Sequence, residues 1–164
     1  MWNLTVLRRR LATAAGIGLL AVIGAVHLLY AHGYYLFVAY VGVLFYATTA
    51  GAATAAVGLV VPGARIWGWR LGVLLAASAL AGYVASRTTG LPMFPVLPWQ
   101  DPFGLISVAA EALFTVIGVA MLRAATPSPK TNHLRLVPEL RGPQFRRSVV
   151  RPSAPHRSRG SGVS

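Results

Sequence analysis

The sequence predicts an all-α protein, an antiparallel four-helix transmembrane bundle followed by a disordered, basic C-terminal tail. Two features of its 164 residues lead there. Apolar residues make up 55% of the chain, while Lys and Arg outnumber Asp and Glu by 15 to 3. The two properties are segregated. Most basic residues precede Leu11 or follow Leu122, and the stretch between them is nearly free of charge. Mixed along the chain, such a charge would point to nucleic acid; set apart from the apolar runs, it points to a membrane. This pattern excludes an ordinary soluble domain, and the absence of cysteine excludes a disulfide-stapled fold and thiol chemistry.

Residues 1–10 form a basic N-terminus, and residues 11–122 carry the bundle. The first span, 11–30, lies between Arg8-Arg9-Arg10 and Ala31-His32-Gly33. Twenty residues at about 1.5 Å each cover the hydrocarbon core of about 30 Å. A basic start before an apolar run also describes a signal peptide. This run is too long for one and no small-x-small cleavage site follows it, so the span is expected to be retained. The second span, 35–61, ends at Pro62-Gly63, a helix stop. The third, 67–86, holds Arg70 one turn in, where a long stem carries the guanidinium to the interface. The fourth, 103–122, follows Asp101 as N-cap and Pro102 at the first helical position. Residues 123–164 are the tail.

The basic residues orient the bundle. Arg8, Arg9 and Arg10, then Arg65 and Arg70, then the nine beyond Leu122 fall on one side; the other carries only Arg87. Cations concentrate on the cytoplasmic side, so both termini are expected in the cytoplasm of a cell-membrane protein. Termini on one side require an even number of spans, as the apolar runs independently give. Tyr30, Tyr34 and Tyr35 at the outer ends, and Trp67, Trp69 and Trp99 near other span ends, fit interfacial aromatic belts.

Helices in lipid associate through small and polar residues. Each span offers such a stripe: Thr13, Gly16, Leu20, Gly24 and His27; Ala47, Gly51, Thr54 and Gly58; Gly68, Gly72, Ala79, Gly82 and Ser86; Gly104, Ser107, Glu111, Thr115 and Gly118. His27 and Glu111 both fall on stripes, which places them inside the bundle. Glu111 lies about 12 Å below the outer end of its span. An acid there costs a few kcal/mol to insert and marks either a functional site or an interhelical hydrogen bond. Ser78, at similar depth on the third span, is the candidate partner. His27 lies about 5 Å below the outer end of span one and fits a structural donor better than a metal or haem ligand. His32 is about 140° further around the helix, so the two histidines share no face. No metal site or cofactor is expected. Outside, four prolines from Pro92 to Pro102 alternate with apolar residues, which reads as an ordered cap. Arg87 then has two acidic groups in reach, Asp101 and Glu111. With Tyr83 one turn deeper, His27, Tyr83, Arg87, Asp101 and Glu111 form a candidate polar cavity facing outward; separate structural contacts are the alternative.

The block Gly82-Tyr83, Ser86-Arg87-Thr88, Gly90-Leu91-Pro92, Trp99, Asp101-Pro102, Gly104, Ser107 and Glu111 resembles an uncharacterised family of small four-span integral membrane proteins common in actinobacteria. His27, Tyr40, Gly42 and Phe45 fit its pattern more loosely. The resemblance implies a four-span fold and singles out the Arg87–Glu111 block; it implies no activity. The tail lies outside it.

The tail is rich in Arg, Pro and Ser, a composition that cannot bury enough apolar surface to fold. Its Arg135, Arg141, Arg146, Arg147 and Arg151 are expected to meet anionic lipid headgroups, at about 1 kcal/mol per cation near the surface. Nucleic acid is not expected as a partner, since only Phe145 interrupts the basic run with an aromatic ring. The residues leave three functional classes open. The first is a non-enzymatic accessory or binding protein of the membrane, packed against itself or a partner protein. The second is a small proton- or ion-handling permeation protein using Glu111. The third, a haem or quinone redox subunit, lacks paired intramembrane histidines.

Overall fold

The computed structural model describes residues 2–126. The tail from residue 127 onward, with Arg135, Arg141, Arg146, Arg147 and Arg151, lies outside the described residues. Four helices account for nearly all of the remainder: α1 (Trp2–Phe37), α2 (Ala39–Val60), α3 (Arg65–Thr88) and α4 (Pro102–Ala125). All four are long and apolar enough to cross a membrane. Each helix packs chiefly on two others, α1 on α2 and α4, and α3 on α2 and α4, which closes an up-and-down four-helix bundle. The upper end of the bundle carries the α1–α2 corner and the loop before α4. The lower end carries the α2–α3 turn.

The bounds differ from the sequence expectation chiefly at the first corner. The sequence places a loop at Ala31-His32-Gly33 and starts the second span at Tyr35. In the structure α1 continues to Phe37, so Tyr35, Leu36 and Phe37 belong to the first helix. A glycine inside a helix costs only about 1 kcal/mol, so Gly33 does not end it. The reversal falls instead on Val38, in extended conformation with φ −143° and ψ 100°. A one-residue corner brings α2 directly onto α1, where a Cβ on Gly42 would strike the backbone of Tyr35. The absence of a side chain at Gly42, rather than any turn at Gly33, makes the corner there.

The α2–α3 turn follows local chemistry. Val61 precedes Pro62 and is extended, as the proline ring requires, which stops α2. Gly63 then takes φ +87°, and Arg65 Nε donates to the Leu59 carbonyl at 3.2 Å, capping α2.

The lower half of the bundle is densely packed. Leu20, Ile23, Leu59, Trp69 and Phe114 form its centre with Ala52, Ala55 and Ala76. Gly58 and Gly68 let α2 and α3 meet backbone to backbone, while Gly72 receives the Phe114 ring. The outer surface is apolar, with Leu29, Val57, Leu74 and Val116 all more than half exposed. The buried polar residues, His27, Ser86, Arg87, Ser107 and Glu111, are gathered inside the upper half. This apolar-outside, polar-inside distribution fits a chain surrounded by hydrocarbon, where burial of polar groups against one another is the favourable choice.

Candidate functional site

The polar residues of the upper half line one cavity of about 420 Å³. His27, Tyr83, Arg87, Asp101 and Glu111, together with Ser78, all contribute to its wall. Its polar groups form two stations, separated along α1 by the three residues from His27 to Tyr30, or about 4.5 Å of helix rise.

The deeper station is Glu111 with Ser107 and His27. Ser107 Oγ donates to Glu111 Oε1 at 2.8 Å, a bond set by their i, i+4 spacing on α4. Glu111 Oε2 is buried without a partner. His27 Nδ1 lies 2.9 Å from the Ile23 carbonyl. Since a carbonyl only accepts, that nitrogen carries a proton and Nε2 faces the carboxyl group. Nε2 is 3.9 Å from Glu111 Oε1, too far for a hydrogen bond but close enough for a small group to bridge. The imidazole leans on Phe45, with ring centres 4.9 Å apart. Ser78, the partner expected from depth alone, donates instead to the Leu74 carbonyl at 2.8 Å. A serine in a helix reaches its own i−4 carbonyl more readily than a neighbouring helix. Glu111 is bonded instead within its own helix, by Ser107, and the interhelical bond expected from Ser78 is not made, although Ser78 remains on the cavity wall.

The upper station is Arg87 with Asp101. Arg87 Nη2 lies 3.7 Å from Asp101 Oδ2, an ion pair rather than a hydrogen bond. Nη1 donates to Ser86 Oγ at 2.8 Å, and the guanidinium stacks 3.8 Å above the Tyr83 ring. Arg87 Nε is buried without an acceptor. Tyr30 donates to Asp101 Oδ1 at 3.1 Å, tying α1 to the start of α4. Asp101 stands at the N-cap as expected, yet its side chain makes no cap bond, because Tyr30 and Arg87 occupy it. Of the two acids in reach, Arg87 pairs with Asp101 and not with Glu111.

The loop before α4 is ordered over the cavity. Leu97 N–H donates to the Ser86 carbonyl at 3.0 Å, and Tyr40 donates to the Pro92 carbonyl at 2.6 Å. Phe94 turns inward, buried between Tyr34 and Phe37. The proline-rich segment is thus a lid held from three elements. Neither a family model, a curated protein nor a solved structure matches the chain.

Two contributors escape a composition-based reading. Tyr30 and Tyr34 fit an interfacial belt by position, yet both line the cavity. The usable signal is spacing: His27, Tyr30 and Tyr34 lie at i, i+3 and i+7 on one helical face. Among the described residues no three His, Asp or Glu side chains converge as a metal-binding group. What remains is a largely apolar chamber whose wall includes two residues with a buried polar atom lacking a partner, Arg87 Nε above and Glu111 Oε2 below. By chemical type, Arg87 offers donors and Glu111 a hydrogen-bonding carboxyl group.

Proposed function

We propose that this chain is a multi-pass protein of the cytoplasmic membrane, with both termini in the cytoplasm, that binds an amphipathic membrane-soluble molecule without transforming it. One observation carries the reading. Two residues of one cavity wall, Arg87 and Glu111, each hold a buried polar atom that has no partner. An unpaired buried polar group costs about 1–3 kcal/mol, so a ligand toward which both side chains turn recovers that energy on binding. The cavity mouth lies between α2 and α3, where Leu44, Leu74 and Ser78 are exposed on the lipid-facing side, so the ligand enters from the membrane.

The test is retention. The protein is purified from native membranes in mild detergent and its organic extract is compared with bulk membrane lipid by mass spectrometry. Wild type is expected to carry an enriched amphiphile. Glu111→Gln, which keeps the shape and alters the hydrogen bonding, is expected to lose about tenfold in retention, equivalent to about 1.4 kcal/mol. Wild type with no enriched species overturns the reading.

A second reading, proton or ion handling, draws on the 3.9 Å approach of His27 Nε2 to Glu111. Below that pair lie Phe114, Leu20, Leu59 and Trp69, all nearly or fully buried, which supports a closed chamber over a through-route. Proteoliposome proton flux above the empty-vesicle rate and abolished by Glu111→Gln would favour this reading. The tail belongs to the same proposal as a contact to anionic headgroups, one that weakens as salt is raised.

A further inference from the structure

The cavity does not end where its polar lining ends. Lower on the same lipid-facing side, α2 and α3 enclose a shallow groove of about 500 Å³ whose walls include Thr54, Gly58, Trp67 and Gly68. Leu71 and Leu74 line both the groove and the cavity, so the two adjoin along α3. The floor is shut. Leu75 would meet a Cβ on Gly51, and Gly58 lies against Gly68, so nothing passes between the helices into the core at that level. The lining is apolar even at Thr54, whose hydroxyl is spent on the Ala50 carbonyl. From Ser78 at the cavity to Trp67 at the far end, α3 rises about 16 Å. There the Arg70 guanidinium stacks 4.9 Å from the Trp67 ring and closes the path with a cationic group.

We infer that the ligand is a long-chain amphiphile, seated with its polar head between Arg87 and Glu111 and its single apolar chain leaving past Leu74 to lie in the α2–α3 groove toward Trp67. This rests on the binding function proposed above and adds the class of ligand. A chain is the occupant that can span from the cavity into the adjoining groove. A helix of a second copy is about 10 Å across and could cover the groove, but could not follow it into the chamber. Because lipid is as apolar as the groove, the groove adds little hydrophobic driving force of its own. It selects by shape, giving the chain an exit that lets the head seat fully.

The experiment compares the extracts of wild type, Leu74→Trp, Thr54→Trp and, as a control on a lipid-facing position outside the groove, Val116→Trp. Leu74 and Val116 are 67% and 68% exposed, so neither bulky side chain intrudes on the core. Blocking the junction with Leu74→Trp is expected to lower retention of the enriched species about tenfold, while Val116→Trp retains it. Thr54→Trp fills only the lower groove and is expected to shift the retained population toward shorter chains. The inference is overturned if the enriched molecule carries no long chain, or if Leu74→Trp holds it undiminished. It is equally overturned if Leu74→Trp changes the oligomeric state on size-exclusion chromatography with light scattering and not the retention, since the groove then seats a second copy. A molecule lost in Glu111→Gln but indifferent to Leu74→Trp and Thr54→Trp leaves the binding function standing and removes the chain path. Absence of any enriched species in wild type removes both.

Discussion

Glu111 and Arg87 owe their arrangement to neighbours of different kinds. Ser107 satisfies Glu111 Oε1 from one turn away on the same helix, whereas Arg87 is held by Tyr83, Ser86 and, across the loop, Asp101. Gly104 is the contact point on which the upper station turns. A Cβ there would lie 2.8 Å from Asp101 Oδ2 and 3.0 Å from Tyr83 Cε2, so Gly104→Ala forces the carboxylate off its place between Tyr30 and Arg87. We expect it to lower stability by about 1–3 kcal/mol, the usual range for overpacking, as measured by thermal unfolding in detergent. Gly82→Ala, where a Cβ meets nothing within 4 Å, should be tolerated. Tyr30→Phe removes only the hydroxyl on Asp101 and is expected to cost about 0.5–1.5 kcal/mol in the same assay.

At the scale of elements, α2 and α3 meet backbone to backbone. A Cβ on Gly68 would lie 2.7 Å from Leu59 N, 2.8 Å from the Ala55 carbonyl oxygen and 2.8 Å from Gly58 C. All three are backbone atoms, which have no rotamer to change, so the helices themselves must part. Gly68→Ala is therefore expected to destabilise by at least about 3 kcal/mol, at the upper end of overpacking costs, and to widen the α2–α3 gap. Gly18→Ala, with nothing within 4 Å, gives the opposite sign: replacing a helical glycine gains up to about 1 kcal/mol. The pair of variants, compared by thermal midpoint, separates a packing glycine from an incidental one. The stripes in the sequence do not draw that distinction. Gly16, Gly58, Gly68, Gly72 and Gly118 make close interhelical contacts, but Ala47 and Thr54 on the second stripe are exposed.

For the whole molecule, the topology follows from where charge can be left. The sequence assigns fourteen of fifteen cations to one side, so both termini are expected in the cytoplasm and a C-terminal reporter active only outside the cytoplasm should stay silent. A reporter joined within the loop at Met93, which is 91% exposed, should be active. Either result reversed would invert the bundle and place the cavity toward the cytoplasm. The number of helices, their order and their apolar exterior were legible in the sequence, because length and hydropathy act locally and every backbone bond of a helix closes within its own segment. So were the polar residues that line the cavity: His27, Tyr83, Arg87, Asp101 and Glu111 stand out as polar groups on or beside apolar spans. Their partners were not legible. Whether Arg87 meets Asp101 or Glu111, whether Glu111 meets Ser78 or Ser107, and whether Tyr30 faces lipid or Asp101 all depend on the rotation and tilt of one helix against the next. Those are set by contacts such as Gly42 on Tyr35 and Gly68 on Gly58, between residues whose significance appears only once the helices touch. The amino-acid sequence alone determined that four helices form with a handful of polar groups among them. The tertiary structure decided that those groups surround a single chamber, because interhelical packing is a property of pairs of surfaces and no one segment encodes it.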